Sequence, residues 1–268
     1  MISRLLHKTF LFIVIAACAA SSLSAQDRKT GRIRSIFDLQ IQPDALVQKP
    51  QKAKALPTPP EAKNPATYHT GGGREGIDVS RYQGTIDWDA VATEKIAYVY
   101  IKATEGETLV DPQFERNLRE ARRAGLKVGS YHFYRAHVNF DRQLQNFTSN
   151  IRPDEQDLLP IIDVEHTNGV SNEKFVRDLR RFAEAVTKYY GRKPVMYTFQ
   201  NFYNKHFLHE FKDYVWMIAK YRDEEPILHD NLDYVMWQYT STGRIRGIRG
   251  DVDRSMIMEP HTMADILY

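Results

Sequence analysis

Apolar and polar positions follow two alternating patterns from residue 76 onward. Eight short apolar runs have the length and composition of β-strands, and a helix or a helix-sized segment follows each of the first five. The runs are "GIDVS", "AYVYIKAT", "KVGSYHFY", "LLPIIDVE", "KPVMYTF", "VWMIAKY", "YVMWQYT" and "GDVDRS". This alternation predicts a parallel α/β fold.

The clearest helical pattern covers residues 172–190, after Ser171 and before Gly191, which are placed to cap its two ends. Its apolar residues at helical spacing are Phe175, Leu179, Phe182, Val186 and Tyr190. The segments between the last three strands are too short or too irregular for full helices. The sequence therefore predicts a TIM-like α/β barrel with a regular first half, and an open doubly wound sheet is the alternative.

Residues 1–25 have the pattern of an export signal. Basic residues precede the apolar run "FLFIVIAACAA", which is too short to span a bilayer, and small residues before Ala25 suit a signal peptidase. The alternative is a lipoprotein signal that ends before Cys18, in which case a lipid on Cys18 attaches the protein to a membrane. Both routes predict an exported protein, periplasmic or extracellular, without an intramolecular disulfide.

Residues 26–73 are rich in proline, lysine and alanine and are predicted to form a disordered linker. All fifteen tyrosines and all three tryptophans follow residue 67, which places the packed domain at residues 74–268. The formal net charge of +3 is too small to indicate a nucleic-acid partner. A monomer is expected.

The stretch "PIIDVEHT" ends an apolar strand with two carboxylates, Asp163 and Glu165. Alternation along a strand places both on the face of Ile161, roughly 6.5 to 7 Å apart. At the C-terminal rim of a barrel, burial and mutual repulsion raise a carboxyl pKa, so one group keeps a proton for acid catalysis on a glycoside. The structural alternative is a pair that caps loop amides or binds an arginine.

Two further acids, Asp78 and Asp253, lie near the ends of the first and last strands. In a barrel these strands are neighbours, and the fourth strand faces them across the mouth. We therefore expect four carboxyl groups to converge on one opening.

The motifs that contain these residues resemble glycoside hydrolase family 25, the Chalaropsis-type lysozymes (N-acetylmuramidases). They are "GIDVSRYQGTIDWDAV", "YIKATEG", "VGSYHFYR", "IIDVE", "PVMYT", "WMIAKY" and "WQYTSTGRIRGIRGDVD". The resemblance covers residues 74–258. It implies a barrel of five β/α units and three closing strands. It also implies hydrolysis of the β-1,4 bond from N-acetylmuramic acid to N-acetylglucosamine in peptidoglycan, so peptidoglycan glycan strands are the expected partner.

The resemblance also implies roles for the four acids. Glu165 is the expected general acid, and Asp163 assists, either by orienting the substrate acetamido group, which we favour, or as a nucleophile. Asp78 and Asp253 would tune Glu165 and hold the sugar.

Motif aromatics either line a sugar-binding groove or pack in the core. They are Tyr82, Tyr131, Tyr197, Trp216 and Trp237. Lys102 either binds substrate or forms a buried ion pair with one of the acids. The histidines His132 and His166 lack a metal-ligand spacing, so no metal and no cofactor is predicted.

One loop departs from the family pattern, because Arg254 and Ser255 follow the final "VD". Arg244, Arg246 and Arg249 make the same loop basic. It is either a solvated loop or a contact for the peptide-stem carboxylates or another anionic wall polymer. For the whole chain, an inactive wall-binding barrel and a hydrolase of another N-acetylated glycan, such as chitin, remain the alternatives to a muramidase.

Overall fold

The strand and helix pattern appears in the computed structural model, which describes residues 73–268. The strands are β1 (Glu75–Val79), β2 (Tyr98–Glu105), β3 (Leu109–Val110), β4 (Lys127–Phe133), β5 (Ile161–Asp163), β6 (Val195–Phe199), β7 (Trp216–Ala219), β8 (Met236–Gly243) and β9 (Val252–Ile257). The α-helices are α1 (Trp88–Val91), α2 (Phe114–Arg123), α3 (Phe140–Asn150), α4 (Asn172–Tyr190) and α5 (Gln200–His206). The predicted signal peptide, Cys18 and the predicted linker up to residue 72 lie outside the described residues.

Eight of the strands close into a barrel in the order β1-β2-β4-β5-β6-β7-β8-β9, because β1 pairs with both β2 and β9. Neighbouring strands from β1 to β8 are parallel, whereas β9 is antiparallel to both of its neighbours. The short β3 pairs antiparallel with the end of β2 outside this ring. The predicted barrel is confirmed, and the open doubly wound sheet is wrong.

The helices follow the expected distribution of five β/α units and three closing strands. The first unit is reduced, since its helix α1 has only four residues. Helix α4 has the predicted bounds and ends at Gly191, whose φ of 73° is left-handed. Ser171 is the N-cap residue of α4, as predicted, but its side chain makes no capping hydrogen bond.

The barrel interior is filled by side chains of alternate strand residues, and a second apolar layer lies between the strands and the helices. Two tyrosines of β2, Tyr98 and Tyr100, occupy much of the interior. Glycines make room for them, because a Cβ at Gly76 would lie 2.1 Å from the Tyr98 ring and one at Gly129 would lie 2.4 Å from the Tyr100 ring. Bulky rings thus fill the barrel near the end at which its parallel strands begin, which leaves the opposite end for a functional site.

Candidate active site

Four carboxyl groups lie at the mouth of the barrel, where the parallel strands end. Asp78 of β1 lies opposite Asp253 of β9 in the antiparallel ladder. Asp163 is the last residue of β5, and Glu165 follows in the next loop. The predicted strand extended to Glu165, but the pairing of β5 with β4 and β6 ends at Asp163. The loop therefore positions Glu165, and the four acids converge as expected.

Burial raises the pKa of each of the four acids. The pKa of Asp78 rises to about 8, from burial and then from the charge of Asp253. Burial alone raises the pKa of Asp253 to about 7. The pKa of Glu165 rises to about 7, mainly from burial and then from the charge of Asp253. The pKa of Asp163 is raised well above its usual range by burial and by the charge of Glu165. The cluster therefore keeps protons at neutral pH.

Asp163 and Glu165 share one of these protons. The Glu165 carboxyl is hydrogen-bonded to that of Asp163, and two carboxyl groups can form such a bond only when one of them carries a proton. The other oxygen of Asp163, Oδ1, is buried and has no hydrogen-bond partner within the described residues. A buried acceptor without a donor is costly, and it marks a place for a ligand N–H or O–H group.

Gln238 of β8 joins the acids to two tyrosines, and the sequence reasoning missed it. Its Nε2 donates to Asp78 Oδ2 over 3.1 Å, and its Oε1 accepts from the hydroxyls of Tyr197 and Tyr221, each over 2.8 Å. Tyr221 was missed as well. Both residues lie in motifs that were recognised, "WQYT" and "WMIAKY", but a neutral amide among apolar residues gives no signal of its own.

A β-bulge places two charged side chains beside the acids. The register of β2 shifts between Lys102 and Thr104, so Lys102 and Glu105 point to the same side although they are three residues apart. Lys102 Nζ lies 2.7 Å from Glu105 Oε2, and Arg135 Nε donates to Glu105 Oε1 over 3.0 Å. The partner of Lys102 is therefore Glu105 and not one of the four acids. The charges of Lys102 and Arg135 both oppose the rise in the pKa of Glu165.

Three of the predicted aromatics lie at the mouth. Tyr131 and Tyr197 point into the barrel beside the acids, where burial and then neighbouring charges raise the pKa of each hydroxyl well above its usual range. Tyr82 lies in the 3₁₀ turn Arg81–Gln83 directly after β1 and is 63% exposed. An exposed ring at the rim is suited to stack on a sugar face.

The two predicted tryptophans do not line a groove. Both are fully buried on the outward face of the barrel. The indole N–H of Trp216 donates to the carbonyl of Phe211 over 3.1 Å, and that of Trp237 donates to the carbonyl of Lys220 over 3.0 Å. Trp216 and Trp237 are therefore core residues.

His132 is also a core residue. Its Nδ1 lies 2.7 Å from Thr104 Oγ1 and its Nε2 lies 3.1 Å from Gln143 Oε1, and burial lowers its pKa to about 4. Because the amide oxygen of Gln143 can only accept, Nε2 carries the proton and the ring is neutral. His166 is partly buried near Phe133. Within residues 73–268, no three His, Cys, Asp or Glu side chains are grouped to hold a metal ion.

The departure from the family pattern after Asp253 is accommodated inside the fold. Arg254 forms an ion pair with Glu75 across the β9–β1 ladder. The hydroxyl of Ser255 is 3.0 Å from that of Tyr98 inside the barrel. Both residues therefore have partners within the fold.

Comparison with known proteins agrees with this geometry. The family model described as "Glycosyl hydrolases family 25" matches residues 77–248. The chain is 34% identical over 194 residues to protein YegX of Escherichia coli strain K12, covering 70% of each chain. It is 35% identical over 181 residues to the autolytic lysozyme of Clostridium acetobutylicum, covering 67% of this chain and 54% of that protein.

Solved structures give the same result. The crystal structure of the bacterial lysozyme from Streptomyces coelicolor superposes with a TM-score of 0.66 at 30% sequence identity, covering 73% of this chain and 95% of that chain. The resemblance inferred from the motifs is confirmed. This chain belongs to glycosyl hydrolases family 25 and is a glycosidase of the lysozyme type.

Proposed function

We propose that this protein cleaves the β-1,4 bond between N-acetylmuramic acid and N-acetylglucosamine in peptidoglycan, with Glu165 as general acid and Asp163 as its assistant. The observation that supports the proposal best is the hydrogen-bonded Asp163–Glu165 pair at the mouth of the barrel, where burial raises the pKa of both groups. Asp163 Oδ1 has no hydrogen-bond partner among residues 73–268 and can accept from a substrate. A pure binding site has no need of such a pair.

In the proposed reaction the substrate acetamido N–H donates to Asp163, and the proton of the pair moves to Glu165. Glu165 protonates the glycosidic oxygen as the C1–O bond breaks, and the acetamido oxygen bonds to C1, giving an oxazolinium ion that the Asp163 carboxylate stabilises. Water then attacks C1 and gives its proton to Glu165, and the acetamido group is restored. The single residue between the two acids favours this assistance over direct attack by Asp163.

The neighbouring groups have supporting roles in this scheme. Asp78, whose pKa is raised to about 8, stays mostly protonated at neutral pH, and Asp253, whose pKa is raised to about 7, is partly protonated there. The remaining charge of Asp253 raises the pKa of Glu165. Glu165 is thereby held near the pKa that suits a general acid at neutral pH. Lys102, Tyr82, Tyr131 and Tyr197 are proposed to contact the sugars.

Export is part of the proposal, because peptidoglycan lies outside the cytoplasm. The basic and apolar pattern of residues 1–25 supports it. Mass spectrometry of the mature N-terminus separates cleavage after Ala25 from a lipid on Cys18.

The test compares the full chain with Glu165→Gln and Asp163→Asn on purified peptidoglycan, with mass spectrometry of the reduced products. We expect the parent to release fragments that end in muramic acid, and both variants to lose most of this activity. The exposed Glu184→Gln on α4 makes the same chemical change far from the mouth and should retain activity. A substrate whose acetamido groups have been deacetylated should resist cleavage if acetamido participation operates.

Three results would contradict parts of the proposal. Equal release by Glu165→Gln removes Glu165 as the acid. Products that end in N-acetylglucosamine, or cleavage of chitin alone, change the substrate. Binding without release from peptidoglycan of several sources indicates a wall-binding protein.

A further inference from the structure

The loop between β8 and β9 presents arginines on one side and isoleucines on the other. We call residues 244–250, "RIRGIRG", the arginine loop. Ile245 is buried and Ile248 packs against the same apolar cluster, whereas the three arginines at 244, 246 and 249 are exposed. The alternation therefore fixes which side chains point to solvent.

Backbone contacts hold the arginine loop in place. The carbonyl of Gly247 accepts from the N–H of Asp87 over 2.9 Å. Gly247 has a φ of 93°, and a Cβ there would lie 2.3 Å from the carbonyl oxygen of Asp87, so this contact requires glycine. At the end of the loop, the carbonyl of Asp251 accepts from Gln83 Nε2 over 3.1 Å. The arginines are thus presented from an anchored backbone.

The position of the arginine loop places it at the rim of the candidate active site. It begins six residues after Gln238 of β8 and leads into β9, which carries Asp253 two residues after Asp251. Asp251, the residue after the loop, accepts a hydrogen bond from the turn that contains Tyr82 and follows the strand of Asp78. The loop therefore borders the two elements that carry half of the acid cluster.

The arginines differ in what they contact. Arg244 lies 2.9 Å from Asp251 in an ion pair. Arg246 and Arg249 have no acidic partner within residues 73–268 at ion-pair distance. They therefore add two positive charges to the rim that no acidic side chain of the described residues pairs with.

We propose that Arg246 and Arg249 bind the carboxylates of the peptide stems that muramic acid carries in peptidoglycan, so that the enzyme selects stem-bearing glycan strands. This inference rests on the proposed function. A guanidinium group binds a carboxylate through two parallel hydrogen bonds, and an exposed pair of them suits an anionic polymer. The stems are covalently attached to the sugar that the mouth must hold, which favours their carboxylates over those of a separate polymer.

The test uses two soluble glycan preparations of the same length, one with its peptide stems and one from which an amidase has removed them. The full chain is compared with the double variant Arg246→Gln/Arg249→Gln on both. We expect a rise of about three- to tenfold in KM on stem-bearing strands, as for two solvent-exposed ion pairs, and no change on stem-free strands. The rise should shrink in salt. Arg246→Lys/Arg249→Lys keeps the two charges but cannot form the paired hydrogen bonds, so it should retain only part of the preference.

Matched controls keep the inference separate from the proposed function. Arg119→Gln/Arg122→Gln removes two exposed charges from α2 and should change neither KM. Binding is also measured by calorimetry in the Glu165→Gln background, which needs no hydrolysis. An equal loss on both glycans, or no loss on either, overturns the inference. If the parent hydrolyses neither glycan but binds stems through these arginines, the proposed function fails and the inference stands.

Discussion

At the scale of single residues, Gln238 forms hydrogen bonds to three side chains at the mouth, more than any of the four acids does. Its amide donates to Asp78 and accepts from Tyr197 and Tyr221, which fixes the amide orientation. A glutamate could accept from both tyrosines but could not donate to Asp78 while ionised. The neutral side chain is thus the one that satisfies all three neighbours.

Replacing Gln238 should therefore reduce activity more than stability. Gln238→Leu removes the hydrogen bond that lowers the pKa of Asp78 and leaves the hydroxyls of Tyr197 and Tyr221 without their acceptor. We expect kcat/KM on peptidoglycan to fall about 10- to 100-fold, as for one or two hydrogen bonds that involve a charged or buried group. Gln156→Leu is the matched control, because Gln156 is buried and its side chain has no hydrogen-bond partner. A similar loss in both variants would show that Gln238 matters only for packing.

At the scale of elements, the bulge in β2 and the loop after β4 form a charged unit next to the acid pair. Lys102 and Arg135 both bind Glu105, and both lie over the Phe133 ring, at 5.1 and 4.4 Å from its centre. Two cations on one carboxylate leave a net positive charge. This unit lowers the pKa of Glu165, whereas burial and the charge of Asp253 raise it.

Substitutions of the cation and of the anion in this charged unit should shift the pH profile of activity in opposite directions. Activity should fall as pH rises through about 7, because the acid Glu165 then loses its proton. Lys102→Met removes a cation that favours the Glu165 carboxylate, so the pKa and the alkaline limb should move to higher pH. Glu105→Gln removes a compensating anion, so the limb should move to lower pH.

The pH dependence of kcat/KM checks both shifts. Lys127→Met is the control, since Lys127 pairs with Asp157 at the other end of the barrel. Shifts in the same direction for Lys102→Met and Glu105→Gln would refute the electrostatic explanation.

The outward-facing Trp216 gives a prediction about stability instead of activity. Trp216 of β7 packs against α5 and the residue that follows it, with its ring centre 5.0 Å from that of Tyr203 and 5.4 Å from that of Phe207. Trp216→Leu should lower the free energy of unfolding by about 2 to 4 kcal/mol through the cavity it leaves, with KM unchanged. Denaturant unfolding and kinetics on the folded fraction measure the two effects. A changed KM with unchanged stability would instead indicate that Trp216 lines the sugar-binding groove.

These elements also show what the sequence could reveal. The acids were found because carboxylates at strand ends are unusual, and the barrel was found because its strands alternate with helices. The faces of Trp216 and Trp237 could not be read, because a parallel barrel strand is apolar on both sides. The β2 bulge has no sequence signal either, and without it Lys102 and Glu105 would be assigned to opposite faces.

At the scale of the whole molecule, the acid cluster is a cost to folding that the rest of the barrel offsets. A buried carboxyl with a raised pKa stays protonated in the fold but ionises in the unfolded chain as pH rises, which favours unfolding. The effect is absent below the ordinary aspartate pKa and complete above the raised one. Stability should therefore decrease between about pH 4 and pH 8, where Asp78 and Asp253 differ in protonation between the two states.

Removing one acid should relieve this cost and show its pH dependence. Asp253→Asn cannot ionise, so its free energy of unfolding relative to the parent should rise between about pH 4 and pH 7 and then level off, because burial raises the pKa of Asp253 to about 7. We expect a gain on the order of 2 to 4 kcal/mol at pH 8, or roughly 5 to 10 °C in Tm. Activity should fall in the same variant, because a substitution that stabilises an active site commonly removes a group that catalysis needs. Thermal unfolding at pH 4 and pH 8, with the exposed Asp154→Asn as control, measures the difference. A gain that is equal at both pH values would show that Asp253 acts through packing and not through its buried charge.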